Sequence, residues 1–234
     1  TIGEEKPLLK IRGEDFVSAV DRVAFAAATD DIKPVLTGIR LEVEGNNISL
    51  VATDGLRLSR QMLKLEDAAE KNSNLLIPVR AFLEVAHIVS NIGEGDDFVK
   101  LYFLEERNQV LFRIGDVDLV SRLIDGEFPE YKQIIPTGFK TKCELRRTDF
   151  LNSLKVTNII ARSVLGNKMI LDISDKENKI KLSATQTDLG KNESMFNSNV
   201  EGDDLKIAFS SKLLSDILSH LSAEDLLFEC SESV

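Results

Sequence analysis

Between Gly38 and Thr53 apolar and polar residues alternate. Ile39, Leu41 and Val43 come first, Gly45-Asn46-Asn47 interrupts, and Ile48, Leu50 and Ala52 follow. Alternation with a period of two on either side of a turn predicts a hairpin with one buried face. The pattern returns between Ile170 and Thr185. There Leu171 and Ile173 alternate, Asp175 to Asn178 form the turn, and Ile180, Leu182 and Ala184 alternate. Matching Ile39 to Leu171, Ile48 to Ile180 and Thr53 to Thr185 gives a displacement of 132 each time.

Helical patterns repeat around the hairpins. Phe16, Val17, Val20, Val23, Ala24 and Ala27 fall on one stripe of a helix,. Phe150, Leu151 and Leu154 repeat its beginning, displaced by 134. A second helix is predicted from Val79, with Phe82, Leu83 and Ala86 inward. Its counterpart starts near Ser210, with Leu213, Leu214 and Ile217 inward, displaced by 131. The chain therefore reads as one unit of helices and antiparallel strands written twice, an α+β fold of tandem duplicated domains. The first copy goes on through Val99 to Phe103, Val110 to Phe112 and Leu119 to Ile124. The second reaches Leu226 to Cys230 and lacks the last two strands. The linker-like Pro136-Thr137-Gly138 sets the expected domains at 1–138 and 139–234.

Composition narrows the function. Hydrophobic residues make up 43% and charged residues 29%, an ordinary globular balance,. The formal net charge of −10 argues against a surface that coats nucleic acid all over, and leaves room for a basic face,. Cys143 and Cys230 stand far apart without metal-ligand spacing and are read as reduced thiols of a cytoplasmic protein,. The first residues carry no signal-peptide character and no initiator Met, which reads as an internal start,.

Catalytic chemistry finds little footing. His87 and His220 lie in predicted helices without a Cys, Asp or Ser at catalytic spacing, and no glycine-rich phosphate loop follows a strand,. With 39 Asp and Glu, a carboxylate site for a divalent metal is the alternative, a nuclease on a duplicated scaffold,. Asp54 and Asp125 are the pair to consider for it. Each precedes a glycine, which fits a turn as well. No cofactor or metal is expected.

Two strings carry a resemblance. Leu50-Val51-Ala52-Thr53-Asp54-Gly55-Leu56-Arg57-Leu58-Ser59 closes the first hairpin, and Leu123-Ile124-Asp125-Gly126-Glu127-Phe128-Pro129-Glu130-Tyr131 closes the first copy. Together with Phe16 to Ala28 they resemble the bacterial sliding clamp family, the β subunit of DNA polymerase III, in its second domain and most of its third. The resemblance implies the DNA-clamp fold with an incomplete second copy. It also implies a non-catalytic role: a processivity factor that encircles duplex DNA without sequence specificity, as a homodimeric ring when full length. This stretch alone is expected to be monomeric.

The resemblance assigns residues as well. Leu36, Thr53, Gly55, Leu56, Arg57, Leu58, Pro129, Ile134 and Val234 match a pocket that captures short peptides of polymerases, clamp-loader subunits and repair proteins. Apolar walls would bury the peptide's Leu or Phe side chains. Arg22, Lys33, Arg80, Arg146, Arg147, Lys155, Arg162 and Lys212 are the basic residues expected to face DNA phosphates. Val156, Ile159 and Ile160 lie off the inward stripe of their helix and are expected at a subunit interface. Thr157 and Asn158 stand where Val23 and Ala24 pack in the first copy, which a rotated helix would also explain.

Overall fold

The computed structural model describes residues 6–91 and 98–231. The chain forms two compact units that meet between Pro129 and Glu130. In the first, β1 (Leu9–Arg12) leads into α1 (Gly13–Ala24), followed by β2 (Gly38–Glu44), β3 (Asn47–Thr53) and β4 (Leu58–Lys64). The order then repeats as β5 (Ser73–Pro78), α2 (Val79–Asn91), β6 (Phe98–Leu104), β7 (Gln109–Ile114) and β8 (Val117–Arg122). Each half is a strand, a helix and three strands. The halves exchange their first strands, giving antiparallel sheets in the orders β4-β3-β2-β5 and β1-β6-β7-β8.

Helix α1 buries Phe16, Ala19, Val20 and Val23, the spacing of one helical stripe,. Glu14 and Asp15 sit in its first turn, where carboxylates oppose the positive end of the helix,. Helix α2 buries Ala81, Phe82 and Val85, whereas Leu83, expected inward, is 48% exposed. Phe16, Phe82 and Phe112 meet at the centre, with ring centroids 5.7 to 6.1 Å apart. One ring comes from each helix and one from the second sheet, so the cluster joins both halves.

The second unit follows the same plan. It comprises β9 (Thr141–Arg146), α3 (Arg147–Ala161), β10 (Lys168–Ser174), β11 (Lys179–Gln186), β12 (Gly190–Asn197), β13 (Asn199–Gly202), β14 (Leu205–Ser210), α4 (Ser211–Ser219) and β15 (Asp225–Cys230). Its sheets run β12-β11-β10-β14 and β13-β9-β15. Phe150 takes the place of Phe16 and packs against Phe196 and Phe228. Among the described residues no counterpart of β7 or β8 follows β15.

Three readings change. First, the repeat is not displaced uniformly along the hairpin. Ile39, Leu41 and Val43 correspond to Met169, Leu171 and Ile173, all buried and displaced by 130. Ile48, Leu50 and Ala52 correspond to Ile180, Leu182 and Ala184, displaced by 132. The second turn is longer, spanning Asp175 to Asn178 against Gly45 and Asn46, and it absorbs the difference. Likewise α4 buries Ser211, Leu214 and Leu218, and Leu213 and Ile217 are half-buried.

Second, β3 is buried on both faces. Ser49, Val51 and Thr53 point away from the helices, yet each is under 9% exposed. The segment after β8 crosses this face. Ile124 N–H donates to Leu76 O at 2.8 Å, and the Arg40 guanidinium lies 6.0 Å from the Phe128 ring centroid. Arg40 also pairs with Glu42 at 2.9 Å, so the charges beneath the crossing segment are matched,.

Third, the compact units divide between Pro129 and Glu130, which places 130–138 with the second unit, ahead of the boundary read after Gly138. Pro136, Thr137 and Gly138 are exposed, but they lead directly into the second unit, where Lys140 N–H donates to Cys230 O at 2.9 Å.

Cys143 is fully buried and Cys230 nearly so, both as free thiols. Burial pushes the Cys143 thiol from its usual 9.0 up to about 11, with nearby Cys230 adding to the effect. The core favours the neutral thiol. Its contribution to stability is therefore complete below pH 9 and is lost as pH rises from 9 towards 11, where the unfolded chain ionises first,. Urea midpoints measured across this range should fall for the native chain and fall less for Cys143→Ala.

Candidate functional site

The hairpin β3-β4 ends in the turn Asp54 to Arg57, and hydrogen bonds hold its backbone throughout. Asp54 Oδ1 accepts from the N–H of Leu56 at 2.9 Å and of Arg57 at 3.0 Å. Asp54 Oδ2 accepts from Arg57 Nε at 3.1 Å. Thr53 Oγ1 donates to Arg57 O at 2.6 Å and accepts from Gly55 N–H at 3.0 Å. Gly55 has φ +89°, a conformation costly for a residue with a Cβ,. This is an Asx turn closed by a second side chain.

The turn is anchored from below. Arg57 Nη2 donates to Phe25 O at 2.8 Å, at the C-terminal end of α1, and the guanidinium lies 5.2 Å from the Phe25 ring centroid. Ser59 Oγ donates to Arg22 O at 2.5 Å in the same helix end. A cation at a helix C-terminus complements the last free carbonyls. The Leu56 side chain, by contrast, stands 81% exposed at the tip.

Neighbouring elements bring further predicted residues to this end of the sheet. Thr53 pairs with Leu58, and β2 begins at Gly38 on the other side of β3. The 3-10 turn Pro34–Thr37 leads into Gly38 and carries Leu36, which is buried. A Cβ on Gly126 would stand 2.8 Å from Val35, so the segment leading to Pro129 lies against the same turn. Leu36, Thr53, Gly55, Leu56, Arg57 and Leu58 are thus assembled within the first unit.

Their roles differ from a simple wall. Leu36 is buried in the unit, and Thr53 and Arg57 hold the turn through their hydrogen bonds. Leu56 and half-buried Leu58 offer the apolar surface. Ile134, in the second unit, is 67% exposed. Val234 lies outside the described residues. Phe25, Ser59 and Phe128 support the site without being among the predicted residues. Ser59, two positions after Arg57 in the same string, carries the one available sequence signal.

The basic residues divide. Lys33, Arg80, Arg146, Lys155, Arg162 and Lys212 are exposed. Arg22 is half-buried beside Gln61, with Nη1 to Oε1 at 3.5 Å. Arg147 is turned inward: Nη2 stands 3.7 Å from Glu224 Oε2 and Nη1 3.5 Å from Leu218 O. These two are occupied with their own units.

On α3 and its C-cap the exposed Thr148, Asn152, Lys155, Ile159 and Arg162 recur at alternating spacings of four and three, one stripe of the helix,. Val156 is 45% and Ile159 57% exposed. Ile160 is not outward; it is partly buried against the core. The helix is not rotated either. Thr157 is fully buried in the place of Val23, its hydroxyl donating to Ser153 O at 3.0 Å. Asn158 accepts from Ser211 Oγ at 2.7 Å, which ties α3 to α4.

The carboxylate alternative loses its pair. Asp54 is committed to the turn, and Asp125 accepts from Asn108 Nδ2 at 2.8 Å. Among the described residues no three His, Cys, Asp or Glu side chains gather as a metal site would require. No helix among them is long and apolar enough to cross a membrane.

Two units, each made of two strand-led helical halves that exchange their first strands, define a clamp-type α+β fold. The family model described as DNA polymerase III beta subunit, central domain, matches residues 10–130, and the one described as the C-terminal domain of that subunit matches 132–234. The chain belongs to the DNA polymerase III beta subunit family. The beta sliding clamp of Staphylococcus epidermidis is 32% identical over 206 residues, covering 88% of this chain and 52% of the relative. The DNA polymerase III beta subunit of Thermotoga maritima superposes with a TM-score of 0.89 at 29% identity, over 98% of this chain and 60% of that one. The Bacillus subtilis sliding clamp gives a TM-score of 0.90 at 27% identity, over 98% and 59%. This chain spans about half the length of the curated clamps it matches.

Asp54→Ala removes the acceptor for three donors and leaves the Arg57 charge, 14% exposed, without its carboxylate. The expected loss is about 1–3 kcal/mol in urea denaturation. Asp54→Asn retains an oxygen for the backbone donors and should recover part of it.

Proposed function

We propose that this chain is the central and C-terminal portion of a sliding clamp. It acts as a non-catalytic DNA polymerase processivity factor that holds duplex DNA without reading its sequence and docks short peptides of polymerase and clamp-loader subunits. The observation that carries this reading is the Thr53–Leu58 turn. Its backbone is fixed by Asp54, Thr53 and Arg57 while Leu56 projects into solvent. A rigid frame with an exposed apolar tip suits capture of a Leu or Phe side chain, because little ordering is left to be done on binding. Val156 and Ile159 are the residues that would meet a neighbouring subunit. A cytoplasmic setting accords with two cysteines left as free thiols,.

The peptide role is tested by fluorescence anisotropy with a short labelled peptide carrying adjacent Leu and Phe. Leu58→Ala and Leu56→Ala are each expected to weaken binding at least fivefold with the fold intact by circular dichroism. Unchanged binding in both variants overturns the assignment of the pocket.

The DNA role predicts a salt signature. Duplex DNA should bind in low salt regardless of sequence. The slope of log K against log salt should shrink by about 0.9 for every phosphate that a variant no longer neutralises. Lys155→Glu and Arg162→Glu are expected to reduce it, and Arg147→Gln, whose guanidinium faces Glu224, to leave it unchanged.

A further inference from the structure

The first halves of the two units differ at one strand, β13, and the difference leaves a slot. In the second unit β9 is central: β15 pairs with one edge and β13 with the other, Glu144 opposite Asn199 and Thr141 opposite Gly202. Val200 of β13 is buried opposite Cys143. In the first unit the corresponding segment follows Lys64, which closes β4 opposite Asn47 as Asn197 closes β12 opposite Lys179. That segment does not pair with β1, which stays at the edge of its sheet.

The cause lies in the hairpin turns. Leu65 N–H donates to Asn46 O at 2.7 Å and Ala69 N–H to Gly45 O at 2.8 Å. The segment is wrapped onto the short β2-β3 turn at both points, which holds it away from β1. In the second unit Asn178 of the longer turn takes Ser198 N–H and Val200 N–H early, and the chain is then released to lie along β9.

Between β1 and the wrapped segment is a slot of about 600 Å³, whose lining includes Leu8, Lys10, Leu65, Asp67, Ala69 and Phe98. Ion pairs span its two ends: Lys6 to Glu70 at 2.7 Å and Arg12 to Glu66 at 3.5 Å. Lys10 lies between them, its ammonium 3.8 Å from the Phe98 ring centroid, and meets no carboxylate among the described residues. Among the described residues the slot offers an open strand edge, apolar walls and two charges outside the ion pairs, Lys10 and Asp67.

We propose that this slot takes an extended peptide by strand addition, running antiparallel to β1 with a small apolar residue directed to the core and an acidic residue beside Lys10. Main-chain bonds to the free edge would supply affinity and alternate side chains the selectivity. β13 is the pattern for the occupant, because it fills the equivalent place with Asn199-Val200-Glu201-Gly202. Lys10 favours an acidic residue at its own position along the peptide, and Asp67, which also lines the slot, disfavours a second one near it,. The slot lies within the first unit, apart from the Thr53–Leu58 turn, and does not depend on the function proposed above.

Amide hydrogen exchange by NMR on the intact chain tests this. The probe is an acetylated peptide of the chain's own sequence Ser-Asn-Val-Glu-Gly-Asp at millimolar concentration. Alone, alternate β1 amides should exchange at least tenfold faster than those of β9. The peptide should slow them at least tenfold, and Lys10→Glu should reduce that protection at least threefold. If β1 is as protected as β9 without peptide, the segment closes on β1 in solution and the proposal fails. It also fails if the peptide leaves β1 fast, or if a peptide with Lys in place of Val protects equally.

Discussion

Everything in the first unit depends on the exchange of β1 and β5 between its halves. Each of these strands precedes the helix of one half and bonds to the sheet of the other. Neither half can complete its sheet alone, and Phe16, Phe82 and Phe112 close the exchange at the centre of the core. Local contacts alone cannot build such a unit. Pairings distant in sequence must form together, so the two sheets and two helices are expected to fold as one cooperative block.

The second unit repeats the exchange with β9 and β14. Here the core accommodates polar substitutions without a change of pose. Thr157 satisfies its hydroxyl against the preceding turn of α3, and Asn158 is joined to Ser211. The cost of a polar side chain in the core is offset by a partner within reach, which is why α3 keeps the register of α1 with so different a sequence.

Much of the fold is legible from period alone, because apolar residues alternate along β2, β3, β10 and β11, and in β10 and β11 burial alternates with them. Legibility ends where one residue type serves two environments. Val51 occupies an outward position by its period and is fully buried, since the covering segment comes from 124–128, far along the chain. Strands β4, β5, β12 and β14 escape a reading by period, as their mixed polar faces carry a weak alternation. Alignment of the first hairpin strand slips by two residues because Asp175 to Asn178 lengthens the turn. At the site, the strings around Thr53 and Asp125 mark the right places through a resemblance. They do not reveal that Arg57 and Thr53 are frame, because their partners, Phe25 O and Arg57 O, are backbone atoms without a sequence signal.

The anchoring of Arg57 has a mechanical consequence. One guanidinium closes the end of α1 and one side of the turn that carries Leu56, and Ser59 fastens the same helix end a second time. Nothing compliant lies between them. A tilt or a half-turn slip of α1, from whatever pulls on its exposed face, would be delivered to the tip of the turn as a displacement and not absorbed on the way. The helix and the turn are two ends of a single lever.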